Sequence, residues 1–266
     1  ILIGTKMKIT NTLPVLLFLL LVNACDLPHQ PGPMPTDIVE TEFEPGLNIM
    51  GVLRADDLQG NSFININRAL TTEEIYSDSI ENFSPPIEYV EVMTRSDSMT
   101  YNFGQSNVNA TDWQDYNNAY FHANAGEIYE LEISALGFPL LTAETTIPDF
   151  PQIDKGSWVI NVDELKFDLQ HHPSAYEYRI YLFFAVTVLE KVVKPGSSAT
   201  IPVEWTFDAA NGAPLHLSVT ALDENLTRYG NSPISFIPNT YHPDGSTVAG
   251  GYGCFGSVSV TEFELN

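Results

Sequence analysis

Residues 127–133 read Glu127-Ile128-Tyr129-Glu130-Leu131-Glu132-Ile133. Successive side chains of an extended chain point to opposite faces. Tyr129, Leu131 and Ile133 therefore share one face, and Glu130 and Glu132 share the other. This pattern predicts a strand buried on one side. Asn124-Ala125-Gly126 supplies the turn that enters it. Further strands are expected at 47–53, 62–67, 87–94, 99–103 and 141–147, with a polar loop over 56–61 between the first two. Residues 71–86 are too polar and irregular for a strand. They read as a long loop with room for one helical turn at 72–76. Six or so short strands separated by turn residues point to a sandwich.

Ile147-Pro148-Asp149-Phe150-Pro151 breaks the pattern, because two prolines in four residues end a strand and stiffen a connection. A second unit follows. It opens with residues 158–169, where Val162, Leu165, Phe167 and Leu169 give an imperfect alternation. Residues 176–189 are the most apolar stretch downstream of residue 24. Tyr178, Ile180, Leu182, Phe184, Val186 and Val188 line one side, and Phe183, Ala185 and Leu189 line the other. That predicts a central strand covered on both faces; its β-branched and aromatic residues argue against a helix. Strands are also expected at 201–207, 215–221 and 258–265, the last burying Val258, Val260 and Phe263. A short helix is expected over 223–229, with Asp223 as N-cap and Gly230 past its end. The expected fold is all-β, two Ig-like β-sandwich domains in tandem over 43–148 and 149–266.

The chain begins differently. Lys6 and Lys8 are the only charged residues in the first 24, and Met7 is a plausible start. Residues 13–22 are apolar apart from Pro14. That is the length of a secretory signal core and too short for a membrane-spanning helix of about 20 residues. Small Ala24 then precedes Cys25, as lipoprotein processing requires. An ordinary secretory signal cleaved near Ala24 would leave Cys25 incidental. The lipoprotein reading makes residues 1–24 the signal, Cys25 the lipidated residue and 25–42 a tether. Asp26-Leu27-Pro28-His29-Gln30-Pro31-Gly32-Pro33-Met34-Pro35 holds four prolines in ten residues, which suits an extended spacer. Stable anchoring takes more than one acyl chain, which lipoprotein processing supplies.

Removing the leader with Lys6 and Lys8 leaves nine basic residues against 34 acidic ones, a net charge of −25. Nucleic acid and anionic headgroups are poor partners for such a surface. With Cys25 carrying lipid, Cys254 has no cysteine to pair with, and its Gly253-Cys254-Phe255-Gly256 context reads as a small buried hydrophobe. The six histidines are scattered without metal-ligand spacing, so no metal or cofactor is expected. His171-His172 before Pro173 reads as an exposed turn. Nucleophile-elbow, P-loop and dinucleotide motifs are absent from the sequence. Gly250-Gly251-Tyr252-Gly253 reads as a turn or bulge beside the last strand. Asp112 and Asp115 read as loop residues. With no convergent acid–base set, the chain is expected to be non-catalytic. Two aromatic groups could contact a ligand. Trp113, Tyr116 and Tyr120 with Phe121 form the first, a candidate stacking surface for sugars or a protein; Tyr241, Tyr252 and Phe255 form the second. Both also suit core-filling and sandwich-end roles.

Three motifs then occur in order: Leu47-Asn48-Ile49-Met50-Gly51-Val52-Leu53; Gly126–Ile133 followed by Thr142-Ala143-Glu144-Thr145-Thr146-Ile147-Pro148; and Asn231-Ser232-Pro233-Ile234 leading to Gly250-Gly251-Tyr252-Gly253-Cys254-Phe255-Gly256. With the Cys25 signal, they resemble a lipoprotein family of Bacteroidetes, domain of unknown function 4249. The resemblance implies an outer-membrane or periplasmic lipoprotein with Ig-like β domains, accessory to a TonB-dependent transporter. It carries no catalytic residue onto this chain. The expected function is that of a membrane-anchored, non-catalytic binding or accessory subunit. The alternative is a glycan- or small-ligand-binding surface lipoprotein.

Overall fold

The computed structural model describes residues 46–69, 87–106, 114–161, 163–232 and 245–265. The leader, Cys25, the proline tether, the expected loop at 71–86 and Trp113 lie outside these residues. The fold is all-β, with one α-helix among the described residues. Among the described residues, seven strands precede the Pro148–Pro151 break: β1 (Leu47–Ala55), β2 (Phe63–Arg68), β3 (Glu91–Arg95), β4 (Thr100–Gln105), β5 (Gln114–Asn117), β6 (Ile128–Ser134) and β7 (Leu141–Thr146). After it come β8 (Gln152–Ile160), β9 (Glu164–Gln170), β10 (Glu177–Phe183), β11 (Val188–Val193), β12 (Thr200–Thr206), β13 (His216–Leu222), helix α1 (Glu224–Asn231), β14 (Val248–Ala249) and β15 (Gly251–Glu264).

Alternation sets the inward faces. In β6, Tyr129, Leu131 and Ile133 are fully buried while Glu130 stands out. In β1, Leu47, Ile49, Leu53 and Ala55 point inward. Burying such aliphatic side chains stabilises by about 1.5–3 kcal/mol each, which is why the register of these strands is firmly set. One core gathers residues of β1 to β7 around Phe121, Tyr129 and Leu131. A second gathers Leu165, Phe167, Tyr178, Ile180, Leu182 and Val219.

Twelve of the described strands form one continuous sheet in the order β11-β10-β13-β15-β1-β2-β5-β4-β3-β6-β7-β14, and β12-β9-β8 form a second. The three-stranded sheet covers β10 and β13 across the second core. The long strand β15 joins the two sandwiches. Its first part runs parallel to β1, from Leu47 opposite Gly251 to Ala55 opposite Ser259. Its last part runs antiparallel to β13, from Leu222 opposite Val258 to His216 opposite Glu264. The first sandwich closes where β7 returns to β15: the Ser257 hydroxyl donates to the Thr146 carbonyl at 2.9 Å.

Gly253 makes the β1–β15 pairing possible. Its φ is +106°, a region that L side chains avoid, and a β-carbon there would stand 2.0 Å from the Ile49 carbonyl oxygen.

Several sequence expectations need correction. The continuous strand expected over 176–189 is a hairpin: β10 ends at Phe183, and the Phe184 N–H donates to the Thr187 carbonyl at 2.9 Å. β10 is nonetheless central, flanked by β11 and β13. The stretch 158–169 is likewise two strands, since β8 ends at Ile160 and β9 begins at Glu164. Asp115 sits in β5 opposite Asn65 rather than in a loop. Asp223 does cap α1, its side chain accepting the Leu226 N–H, but Gly230 lies inside the helix and Ser232 is the C-cap. The last strand starts at Gly251, and Phe255 packs into the first core. Residues 251–257, within the expected second unit, thus pair with β1 of the first. The cause is the parallel partner β1, which no local pattern announces.

Candidate functional site

Of the expected aromatic surface, the described residues place Tyr116 inside and Tyr120 outside. Trp113 lies outside the described residues. Tyr116 faces inward from β5, 4% exposed, and its hydroxyl donates to Gln114 Oε1 at 3.0 Å. Phe121 is 1% exposed, with its ring centroid 4.8 Å from that of Tyr101 and 5.6 Å from that of Tyr129. Tyr120 points outward at 87% exposure, its N–H held by Asn118 Oδ1 at 2.9 Å. Tyr116 and Tyr120 thus serve different sides of the same turn. In the second group, Tyr241 lies outside the described residues and Phe255 is fully buried.

The histidines form no metal cluster among the described residues. His172 lies on an exposed turn, where its Nδ1 meets Asp149 Oδ2 at 2.6 Å and Ser174 Oγ at 2.9 Å. Ser174 also donates to Asp149 Oδ2 at 3.1 Å. A nucleophilic relay needs serine and carboxylate on opposite ring nitrogens; here both share one. The triangle fastens the Pro148–Pro151 connection to the turn after β9.

Cys254 is fully buried and free. Burial pushes its thiol up to about 12, so the thiolate that would attack an electrophile does not form near neutral pH.

A groove of about 590 Å³ lies on the outer face of β6, β7 and β14. Glu130 and Glu132 of β6, Glu144 of β7, Arg228 of α1 and residues 246–249 line it. Glu130 stands directly opposite Glu144 across the ladder. Facing like charges of this kind are unfavourable in an isolated sheet. Arg95 on β3 offsets part of it, lying 3.7 Å from Glu130 and 3.6 Å from Glu132. Helix α1 forms the groove's end wall, because Asn225 Nδ2 donates to the carbonyls of Glu144 at 2.7 Å and Phe255 at 2.9 Å. The outward glutamates were legible in the alternation of 127–133, but their meeting with Glu144 and Arg228 depends on pairings remote in sequence. Chemically the groove offers carboxylates and one guanidinium to solvent, a surface suited to contact with basic groups.

No family model matches the chain, and no curated protein matches it. Among solved structures it is similar to the crystal structure of a mutant of Salmonella alpha-2-macroglobulin, with 10% identity and a TM-score of 0.27. That match covers 86% of this chain and 15% of the macroglobulin chain, so the chain spans a small part of that protein's length. A likeness at this level carries no argument about function.

Proposed function

We propose that this protein is a lipid-anchored cell-envelope lipoprotein that works without catalysis, as a binding or accessory subunit beside a TonB-dependent outer-membrane transporter. The observation that carries the proposal is Ala24-Cys25 at the end of an apolar signal core, followed by four prolines and then a β body that begins at Leu47. A chain of that length reaches roughly 60 Å when extended, enough to place the body beside a membrane partner. The resemblance to the Bacteroidetes lipoprotein family supplies the transporter as the partner class. The acidic outer face of β6 and β7 suits contact with a basic protein surface.

The test is affinity capture of the natively lipidated protein from mild detergent, with partners identified by mass spectrometry. The expected result is recovery of an outer-membrane β-barrel transporter at near-stoichiometric amount. Recovery of no outer-membrane protein contradicts the proposal. The alternative, a glycan- or small-ligand-binding lipoprotein, rests on Trp113 and Tyr120, since the Tyr116 ring is committed to the core.

A further inference from the structure

Three oxygen–oxygen contacts run in series where the two sandwiches meet. Asp223 Oδ2 lies 2.5 Å from Thr145 Oγ1, Thr145 Oγ1 lies 2.8 Å from Ser257 Oγ, and Ser257 Oγ lies 2.9 Å from the Thr146 carbonyl oxygen. The three residues are 3%, 3% and 0% exposed, so their polar atoms must find partners inside the protein. Each contact needs one hydrogen, and the two hydroxyls carry one each. A carbonyl only accepts, so Ser257 donates to Thr146. Thr145 then donates to Ser257. With Thr145 donating to Ser257, the contact between Asp223 and Thr145 takes its hydrogen from Asp223; an ionised Asp223 instead accepts the Thr145 hydroxyl and leaves the Thr145–Ser257 contact without a hydrogen. The second carboxyl oxygen, Oδ1, accepts the Leu226 N–H at 2.8 Å and needs none.

We propose that Asp223 is held as the neutral acid in the folded protein and acts as a proton-dependent latch fastening β7, β15 and α1 together. Removing the proton sets a buried carboxylate against a hydroxyl oxygen whose hydrogen points elsewhere. Turning Thr145 toward the carboxylate strips the link to Ser257. In both cases one bond of the buried chain is lost, and such a loss is costly in a site closed to solvent.

The surroundings agree. Burial pushes Asp223 above the usual carboxylate range, outweighing the opposite pull of the Thr145 hydroxyl and of the Leu226 and Ser257 groups. β7 presents no titratable side chain to the latch, since Glu144 lines the outer groove. From β15 the titratable neighbour is Cys254, whose thiol stays neutral because burial pushes it up to about 12. From α1, Glu224 adds negative charge in the first turn, and Arg228 reaches outward to the Ser246 carbonyl at 3.4 Å. From β10, Glu177 is already paired with Arg179 at 3.2 Å. Asp149 turns to His172. The N-terminus of α1 favours the anion, and it is opposed by the missing hydrogen.

The sign follows from linkage. An acid with a raised folded-state pKa binds its proton more tightly when folded, so its contribution is full below the ordinary carboxylate range and is lost as pH rises through the folded-state value. Asp223→Asn keeps the cap on Leu226 and carries a permanent donor for Thr145. Urea unfolding of the full chain is compared for the two proteins between pH 4 and pH 8. The wild type is expected to lose stability relative to Asp223→Asn by about tenfold in the unfolding constant per pH unit across the titration window. Parallel curves, or a variant weaker by the same amount at every pH, overturn the latch. Should the variant fail to fold, isotope-edited infrared spectroscopy of wild-type protein labelled at aspartate decides. A protonated carboxyl band that persists in the folded protein above the ordinary carboxylate range supports the proposal, and a band lost within that range overturns it.

Discussion

The carbonyl oxygen of Ile49 lies 2.0 Å from the position that a β-carbon on Gly253 would occupy. The only parallel pairing among the described strands runs through this point, with Ile49 opposite Gly253. Gly253→Ala must both adopt a positive φ and push β1 away. The expected cost is on the order of 3 kcal/mol, read as a lower urea midpoint with an unchanged slope. A variant as stable as the wild type would show that β1 and β15 do not meet as described.

Because β15 belongs to both sandwiches, damage to one core should be felt in the other. Ile49→Ala removes a buried side chain of the first core and should cost about 2–5 kcal/mol. Trp158 and Trp205 pack on the second core. In a Trp113→Phe background their fluorescence should report the same lowered midpoint as circular dichroism does. A separate tryptophan transition, unmoved by Ile49→Ala, would mean that the two sandwiches unfold independently.

Asp56 anchors the loop after β1. Its carboxylate accepts the Arg54 side chain, the Leu58 N–H at 2.9 Å and Asn61 Nδ2 at 3.1 Å. Burial raises its pKa, but these three donors together outweigh burial and hold it below the usual carboxylate range. A depressed pKa contributes stability that is present above the unfolded value and lost as pH falls through the folded one. Asp56→Ala should therefore destabilise by about 1–2 kcal/mol at pH 7, and the difference should shrink in acid below the ordinary carboxylate range. A difference that is constant with pH would show that the carboxylate charge is not what the loop uses.

Cys254 is expected to be silent to thiol reagents in the native protein and to react fully in denaturant. Its sulfur is enclosed against α1, 3.8 Å from the Asn225 carbonyl oxygen. Fast native-state modification would contradict the packing of α1 over β15.

The sequence reveals what repeats locally. Alternation at Tyr129, Leu131 and Ile133 is strict and locates β6 to within a residue, and the Asp223 cap marks the start of α1. Hairpin turns without glycine, proline or asparagine stayed hidden. Ala185 and Val186 turn the chain inside an apolar run, and Val186 is exposed there despite its type. The early part of β15 stayed hidden for another reason: its partner β1 is about 200 residues away, and parallel pairing leaves no local trace. The groove suffers the same way. Glu130 is readable as outward, but its position facing Glu144 and Arg228 follows from β7 and α1 arriving later. Cys25 is the reverse case, a residue whose proposed role rests wholly on its neighbours in sequence.

Anchoring through Cys25 is the claim on which the functional account turns. Its direct measurement is metabolic labelling with a fatty-acid analogue and membrane fractionation of cells expressing wild type or Cys25→Ser. Wild type should carry label and sediment with outer membranes, and Cys25→Ser should lose the label and leave the membrane fraction. Equal labelling and equal membrane retention of the two proteins would contradict the account.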